Sequence, residues 1–319
     1  MWTRAGLSLL AGLLVVALAA PIVHAQSNFA PSDVTSRRAI VMSEGIALAA
    51  TVYQHPSHAG KPRPTIILCH GWGGEMAGLK RTAAAFAAAG YTAITFDYRG
   101  WGESAGRLIL SKPQEPRRDA KPFNAEVVEL RQIVHPWEHV EDITSVLAWA
   151  VAQPEVDVIK LGLWGTSYGG GHVLFVAAYD ARIKVVVAQV ASFDSRRAGP
   201  ALDTWRAYAT RRAKGEVPYP PPQPRTPGKL HGHPMLEHML YYAPVEQAGL
   251  IRADQAVLII AAENEELMDN RQHGQRVHER LQGPKSYVVI PGITHYDVYG
   301  KAFDQAIKPA VDWYDKYLK

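Results

Sequence analysis

Short apolar, β-branched runs recur along this 319-residue chain, separated by longer stretches with the period of a helix. That alternation is the signature of βαβ units and predicts a mostly parallel sheet covered by helices. The buried strands are expected at residues 64–69, 91–96, 159–164, 183–190, 256–261 and 286–290. Ahead of them, 38–42 and 46–53 flank Ser43-Glu44-Gly45 and read as an antiparallel hairpin. Helices are expected over 73–89, closed by Gly90 as a C-cap glycine, over 139–152, ended by Pro154, and over 303–318. Two segments interrupt the alternation. Residues 105–136 are punctuated by Pro113, Pro116 and Pro122, and 194–250 hold a Pro-rich centre, 218–227, between aromatic helical patterns. Loops of this length in a compact fold are usually functional or disordered.

The first residues read as an address. Arg4 supplies a positive start, 6–20 is an apolar run without charge, and Val23-His24-Ala25 offers small residues ahead of a cleavage expected before Gln26. Residues 1–25 are therefore expected to be a signal peptide and 26–319 a mature, exported chain, periplasmic or secreted. The run falls short of the roughly 20 apolar residues a spanning helix needs, so no stable membrane insertion is expected after cleavage. A chain of this size buries a large core without staples. Cys69 is the single cysteine, which excludes an intrachain disulfide even in an oxidising compartment. The net charge of +4 is scattered in pairs such as Arg37-Arg38, Arg117-Arg118, Arg196-Arg197 and Arg211-Arg212. None forms a basic stripe interleaved with aromatics, so nucleic acid is not an expected partner.

The strongest local signal is Gly165-Thr166-Ser167-Tyr168-Gly169, between the strand 159–164 and a helix beginning near Tyr168. A G-x-S-x-G recurs by chance. A strand before, a helix after, and Gly170-Gly171 following make it a turn so tight that only small flanking residues fit, with the Ser167 hydroxyl thrust outward. A serine hydroxyl is a poor nucleophile until a base takes its proton. Of thirteen histidines, His295 is singled out by Gly292-Ile293-Thr294-His295-Tyr296, just past the last strand and the turn residue Pro291. Past the strand 256–261 stand four carboxylates, Glu263, Glu265, Glu266 and Asp269. Past the first buried strand comes Cys69-His70-Gly71-Trp72-Gly73-Gly74, where Gly71 lets the backbone turn sharply.

Taken in order, a strand running into HGWGG, then FDYRGWGES, GLWGTSYGGG and a late GITH resemble the α/β-hydrolase superfamily across nearly the whole chain after residue 25. Phe96-Asp97-Tyr98-Arg99-Gly100-Trp101-Gly102-Glu103-Ser104 and the Ser-Tyr-Gly-Gly run are similar to its dienelactone-hydrolase-like and Xaa-Pro-dipeptidyl-peptidase-like branches. The resemblance implies an α/β-hydrolase fold: a mostly parallel central sheet flanked by helices, with 194–250 as a lid between the sixth and seventh consensus strands. It implies the order nucleophile, acid, base, with Ser167 and His295 as first and last. Aligning Ala262 with the glycine of the family's usual Gly-x-x-Asp puts Glu265 at the acid, while Asp269 reads as the N-cap of a helix from Asn270. The implied oxyanion donors are the backbone N–H groups of Trp72 and Tyr168, with His70 bracing the loop and Asp97 to Ser104 a structural loop. The first branch's namesakes use a cysteine nucleophile, and the peptidases carry accessory domains; this sequence has Ser167 and reads as one catalytic domain. Both departures point to cleavage of a carboxylic ester on a small or short acyl substrate, with no cofactor and no metal. The alternatives are an aminopeptidase or amidase, and a non-catalytic binding protein on the same scaffold.

Other signals carry less. His231-Gly232-His233 with Glu237-His238 has metal-ligand residue types but reads as lid surface. Trp205, Tyr208, Tyr241 and Tyr242 are either packing of the lid or contacts to substrate. Arg196, Arg197, Arg211 and Arg212 in the same segment hint at a carboxylate-bearing substrate.

Overall fold

The computed structural model describes residues 33–112, 119, 121–220 and 229–319. The leader at 1–25, Pro113, Pro116, Arg117-Arg118 and most of the Pro-rich centre lie outside the described residues. The apolar runs form strands, buried on both faces in the middle of the sheet. The strand expected to be buried at 286–290 lies at one edge, with Ile290 its one buried residue, and residues 35–43 lie at the other edge, largely exposed. β1 (Thr35–Ser43) and β2 (Ile46–Gln54) make the hairpin, followed by β3 (Arg63–Cys69), β4 (Thr92–Phe96), β5 (Val156–Thr166), β6 (Ile183–Gln189), β7 (Ala256–Ala262) and β8 (Lys285–Ile290). They join one sheet in the order β1-β2-β4-β3-β5-β6-β7-β8, antiparallel through β2 and parallel from β4 onward.

Side chains of a strand alternate between faces, so a continuous apolar run feeds two cores. Ile67 and Cys69 of β3 enter one core, Ile66 and Leu68 the other. The first core is closed by α2 (Pro136–Ala150) and α3 (Tyr168–Tyr179), the second by α1 (Lys80–Ala88) and the terminal helix Phe303–Tyr317. That last helix buries Phe303, Ala306, Ile307, Ala310 and Tyr314, a single helical stripe. Cys69 is fully buried, and burial pushes its thiol pKa upward, away from reactivity. Among the described residues no helix is long and apolar enough to cross a membrane.

Two helix boundaries differ from expectation. The helix expected over 73–89 begins only at Lys80, because Gly73 takes φ +76°, the Gly74 N–H turns back to the Gly71 carbonyl, and Met76–Leu79 form a tighter turn. The Met76 N–H is capped from across the fold by Asp97 at 2.7 Å, a partner no local pattern reveals. Helix α2 starts earlier than 139, since Pro136 suits a first turn and the His135 ring accepts the Glu138 N–H at 3.3 Å.

The segment expected as a lid is of two kinds. Its first half carries α4 (Gly199–Ala213), none of whose residues is buried. Residues 239–248 in its second half reach the main core: Met239, Tyr242, Val245 and Ala248 are buried against α3 and its neighbours. The Tyr242 ring meets Trp137 of α2 at 5.1 Å, while Tyr241 beside it is exposed. One apolar stretch thus docks because its side chains find a hydrophobic face, and helical spacing alone did not separate the two halves.

Behind α3 lies a buried polar chain. His172 bonds the Tyr242 hydroxyl at 2.6 Å through one ring nitrogen and His139 at 3.2 Å through the other. Burial disfavours a charged ring, lowering the pKa of His172 to about 3 and that of His70 to about 4. Unfolded, each ring takes its proton near pH 6.5. The folded pKa values are depressed, so these rings' contribution to stability is whole above pH 6.5 and is lost as the pH falls toward the folded values. At pH 5 each has cost about 2 kcal/mol. Burial pushes the Asp97 and Asp142 carboxyls up, a shift that acts on stability in the opposite sense. Urea denaturation at pH 7.5 and pH 5 is expected to show a net loss of stability at the lower pH. His172→Gln, which keeps a hydrogen-bonding group, should lose about 2 kcal/mol less than wild type over the same interval; an unchanged pH slope would refute the assignment.

Candidate active site

Four loops leave the carboxyl ends of β3, β5, β7 and β8 and converge. β3 lies between β4 and β5, where chain order across the sheet reverses, the position at which open α/β sheets bind ligands. The loop from β5 is the tight turn. Ser167 sits at φ +55° and ψ −122°, an uncommon conformation for a residue with a side chain. A Cβ on Gly165 would collide with the Gly169 carbonyl, and one on Gly169 with the carbonyls of Cys69 and His70. The spacing of G-x-S-x-G is thus a demand of close backbone approach.

The loop from β8 places His295 at the first position of a short helical turn, Thr294 and Asp297 forming a reciprocal cap around it. His295 Nε2 lies 3.1 Å from Ser167 Oγ. Its Nδ1 lies 2.9 Å from both carboxylate oxygens of Glu265, which also accepts the Leu267 N–H at 3.0 Å. The side chains of His295 and Glu265 are 1% and 2% exposed, so this pairing is shielded from water. With Nδ1–H donating to the carboxylate, Nε2 is left as the acceptor facing the serine hydroxyl.

The other three carboxylates near Glu265 have different partners. Glu263 accepts the Gly292 N–H and Glu266 the His295 N–H, each at 2.7 Å. The Glu263 N–H reaches the Ile290 carbonyl at 3.1 Å and the Asn264 N–H the Ile293 carbonyl at 2.9 Å. These bonds zip the two loops together and set the separation of Glu265 from His295. Asp269 accepts the Arg271 N–H at 2.9 Å, at the head of the helical turns Arg271–Arg280. The clamps made by Glu263 and Glu266 had no signal in the sequence.

Trp72 and Tyr168 flank Ser167. Tyr168 is the first residue of α3, so its N–H has no acceptor within the helix. The Trp72 indole donates to the His231 carbonyl at 2.8 Å, tying this loop to the segment between β6 and β7. His70 bonds the Gly71 carbonyl at 3.0 Å and stays neutral at physiological pH, its pKa lowered by burial. Asp97, buried, accepts the N–H groups of Met76 and Glu103 at 2.7 and 2.9 Å, which makes FDYRGWGES a brace for the neighbouring loop. Glu237 pairs with Arg212 at 2.6 Å, and the His238 ring lies 4.1 Å from that of His135. Among the described residues no group of three or more His, Cys, Asp or Glu side chains is arranged to hold a metal ion.

Two cavities have the serine in their lining. One, of about 300 Å³, includes Gly71, His295, Tyr296 and Tyr299 in its lining. The other, of about 450 Å³, includes Tyr168, Arg197, Trp205 and His273. Ser167, Trp72 and Leu230 line both.

This sheet order, with its elbow and converging loops, is the architecture of an α/β hydrolase. Residues 44–210 match the model of the X-Pro dipeptidyl-peptidase (S15) family, and the chain belongs to that family. It is 31% identical to an uncharacterised 31.7 kDa protein of the traX-finO intergenic region of Escherichia coli, over 87% of this chain and 98% of that one. In three dimensions it is similar to DcsB, solved with a substrate analogue, at a TM-score of 0.71 and 17% identity, covering 89% of this chain and 99% of that one. It is also similar to an acetyl xylan esterase from Paenibacillus sp. R4, at a TM-score of 0.58 and 16% identity, covering 92% and 87%. The protein is a hydrolase of the α/β fold.

Proposed function

We propose that this protein is a serine hydrolase that cleaves carboxylic esters through an acyl-enzyme. The observation that carries the reading is the unbroken hydrogen-bonded line from Glu265 through both ring nitrogens of His295 to Ser167, where two cavities meet. Ser167 Oγ attacks the ester carbonyl as its proton passes to His295 Nε2. Glu265 holds the imidazolium that forms, and the N–H groups of Trp72 and Tyr168 take the oxyanion. The carbon–oxygen bond to the alcohol breaks, His295 returns the proton to the departing oxygen, and the acyl group stays on Ser167. A water then gives a proton to His295 and attacks the acyl carbon. Ser167 leaves, regains its proton, and the carboxylic acid departs. Apart from that water and the substrate, these steps use groups of the chain itself.

A second reading, amide cleavage beside proline, has the family's description behind it. An alcohol leaves with one proton from His295, whereas an amine must be protonated on nitrogen before it departs, so the same constellation serves esters more readily. A fluorophosphonate probe is expected to label the folded protein once, at Ser167. A panel of 4-nitrophenyl esters of graded acyl length, run beside aminoacyl-prolyl arylamides, is expected to show faster turnover of the esters. Labelling at another serine would overturn the nucleophile, and faster arylamide turnover would replace the ester by the peptide bond.

A further inference from the structure

The residues between β6 and α4 and the loop after β7 bring a cation and neutral donors to the larger cavity beside Ser167. Three other arginines of this segment are committed elsewhere. Arg196 pairs with Asp194 and Glu246 at 2.7 Å each, Arg212 with Glu237 at 2.6 Å, and Arg211 with Glu216 at 3.7 Å. Arg197 lines the cavity and has no carboxylate partner among the described residues. Its guanidinium lies over the Trp205 ring, 5.1 Å from the centroid, and donates one N–H to the Arg196 carbonyl at 3.2 Å. A guanidinium has five N–H donors in a planar fork, so the rest remain for a ligand.

The two acidic residues in the same lining are already neutralised. Asp194 is held by Arg196 and stands 3.8 Å from Arg276, and Asp269 pairs with Arg271 at 3.3 Å. His273 accepts the Phe193 N–H at Nδ1, 2.9 Å away, which puts the proton of its neutral ring on Nε2 as a donor. The cavity's uncompensated charge is therefore one positive fork, accompanied by neutral donors from His273 and Gln272. That set suits a planar anion and repels an ammonium group.

We propose that Arg197 recognises a carboxylate on the substrate, so that the enzyme prefers esters whose acyl or alcohol half carries one; this rests on the hydrolase reading of Ser167. The fork binds both carboxylate oxygens while the ester carbonyl lies at the serine. Arg197 is exposed at the rim, so the preference is moderate and weakens as salt screens it.

Two matched pairs test this in wild type, Arg197→Ala and Arg197→Lys. 4-Nitrophenyl pentanoate against 4-nitrophenyl hydrogen glutarate puts the charge on the acyl side. Phenyl butyrate against 4-carboxyphenyl butyrate puts it on the alcohol side. In one of the pairs, Arg197→Ala is expected to lower kcat/KM for the charged ester about 3- to 10-fold more than for the neutral one. The effect should appear mainly in KM, be partly restored in Arg197→Lys, and shrink in 0.5 M NaCl. Equal losses within both pairs, or no loss in either, would overturn the role of Arg197. The neutral esters keep the hydrolase reading separate: it fails only if wild type does not turn them over while folded.

Discussion

Ser167→Ala is expected to lower kcat for a neutral 4-nitrophenyl ester by roughly four to six orders of magnitude, because without Oγ no acyl-enzyme forms. The residual rate would come from the oxyanion donors and from substrate binding. The fold should hold. The hydrogen bond of Oγ is to His295, and the elbow is fixed by backbone contacts: the Ser167 N–H reaches the Gln189 carbonyl at 2.9 Å, and its carbonyl accepts the N–H groups of Gly170 and Ser192 at 3.0 Å. Thermal unfolding of the variant is expected within a few degrees of wild type. A folded variant that keeps a tenth of the wild-type rate would mean that Ser167 is not the nucleophile.

Glu265→Gln should rank second, lowering kcat by roughly three to four orders of magnitude. The amide is uncharged and cannot balance an imidazolium. It also offers an N–H toward His295 Nδ1, which draws the ring proton to Nε2, where it blocks proton removal from Ser167. Glu263→Gln and Glu266→Gln test the same geometry from the other side. Their carboxylates accept backbone N–H groups, and an amide oxygen does the same, so each should lose less than about tenfold, in line with the net worth of one hydrogen bond. The decisive comparison is the ratio of the three kcat values. If Glu266→Gln falls as far as Glu265→Gln, the acid has been placed on the wrong residue.

Much of the scaffold was legible because its signals are local. A parallel strand covered on both faces reads as a near-continuous apolar run, so β3, β6 and β7 stand out as runs whose residues divide between two cores. The helix over 73–89 was overdrawn for the complementary reason. Alanine-rich composition reports helix propensity, but where α1 begins depends on Gly73 in a left-handed turn and on Asp97 reaching across to Met76. The lid was overdrawn in the same way, since the burial of Tyr242 is decided by the face of Trp137 and His172 that receives it.

What the sequence by itself determined is the class of scaffold and the place of the elbow. Continuous apolar runs, helical period and the exclusion of a side chain at Gly165 by the Gly169 carbonyl act over a few residues and are written in residue order, whereas Gly169 is kept bare by the carbonyls of Cys69 and His70. The tertiary structure decided which charged groups meet. Four carboxylates crowd the turn after β7, and spacing within the turn ranks them weakly. Only the zipping of residues 263–266 against 290–295 sets Glu265 against the imidazole while Glu263 and Glu266 hold backbone. Likewise, Arg196 and Arg197 are adjacent in sequence, yet one is bound by Asp194 and Glu246 and the other lines the cavity beside Ser167. Coulomb and hydrogen-bond energies depend on distance through space, and distances between loops tens of residues apart exist only once the sheet has brought the ends of its strands together.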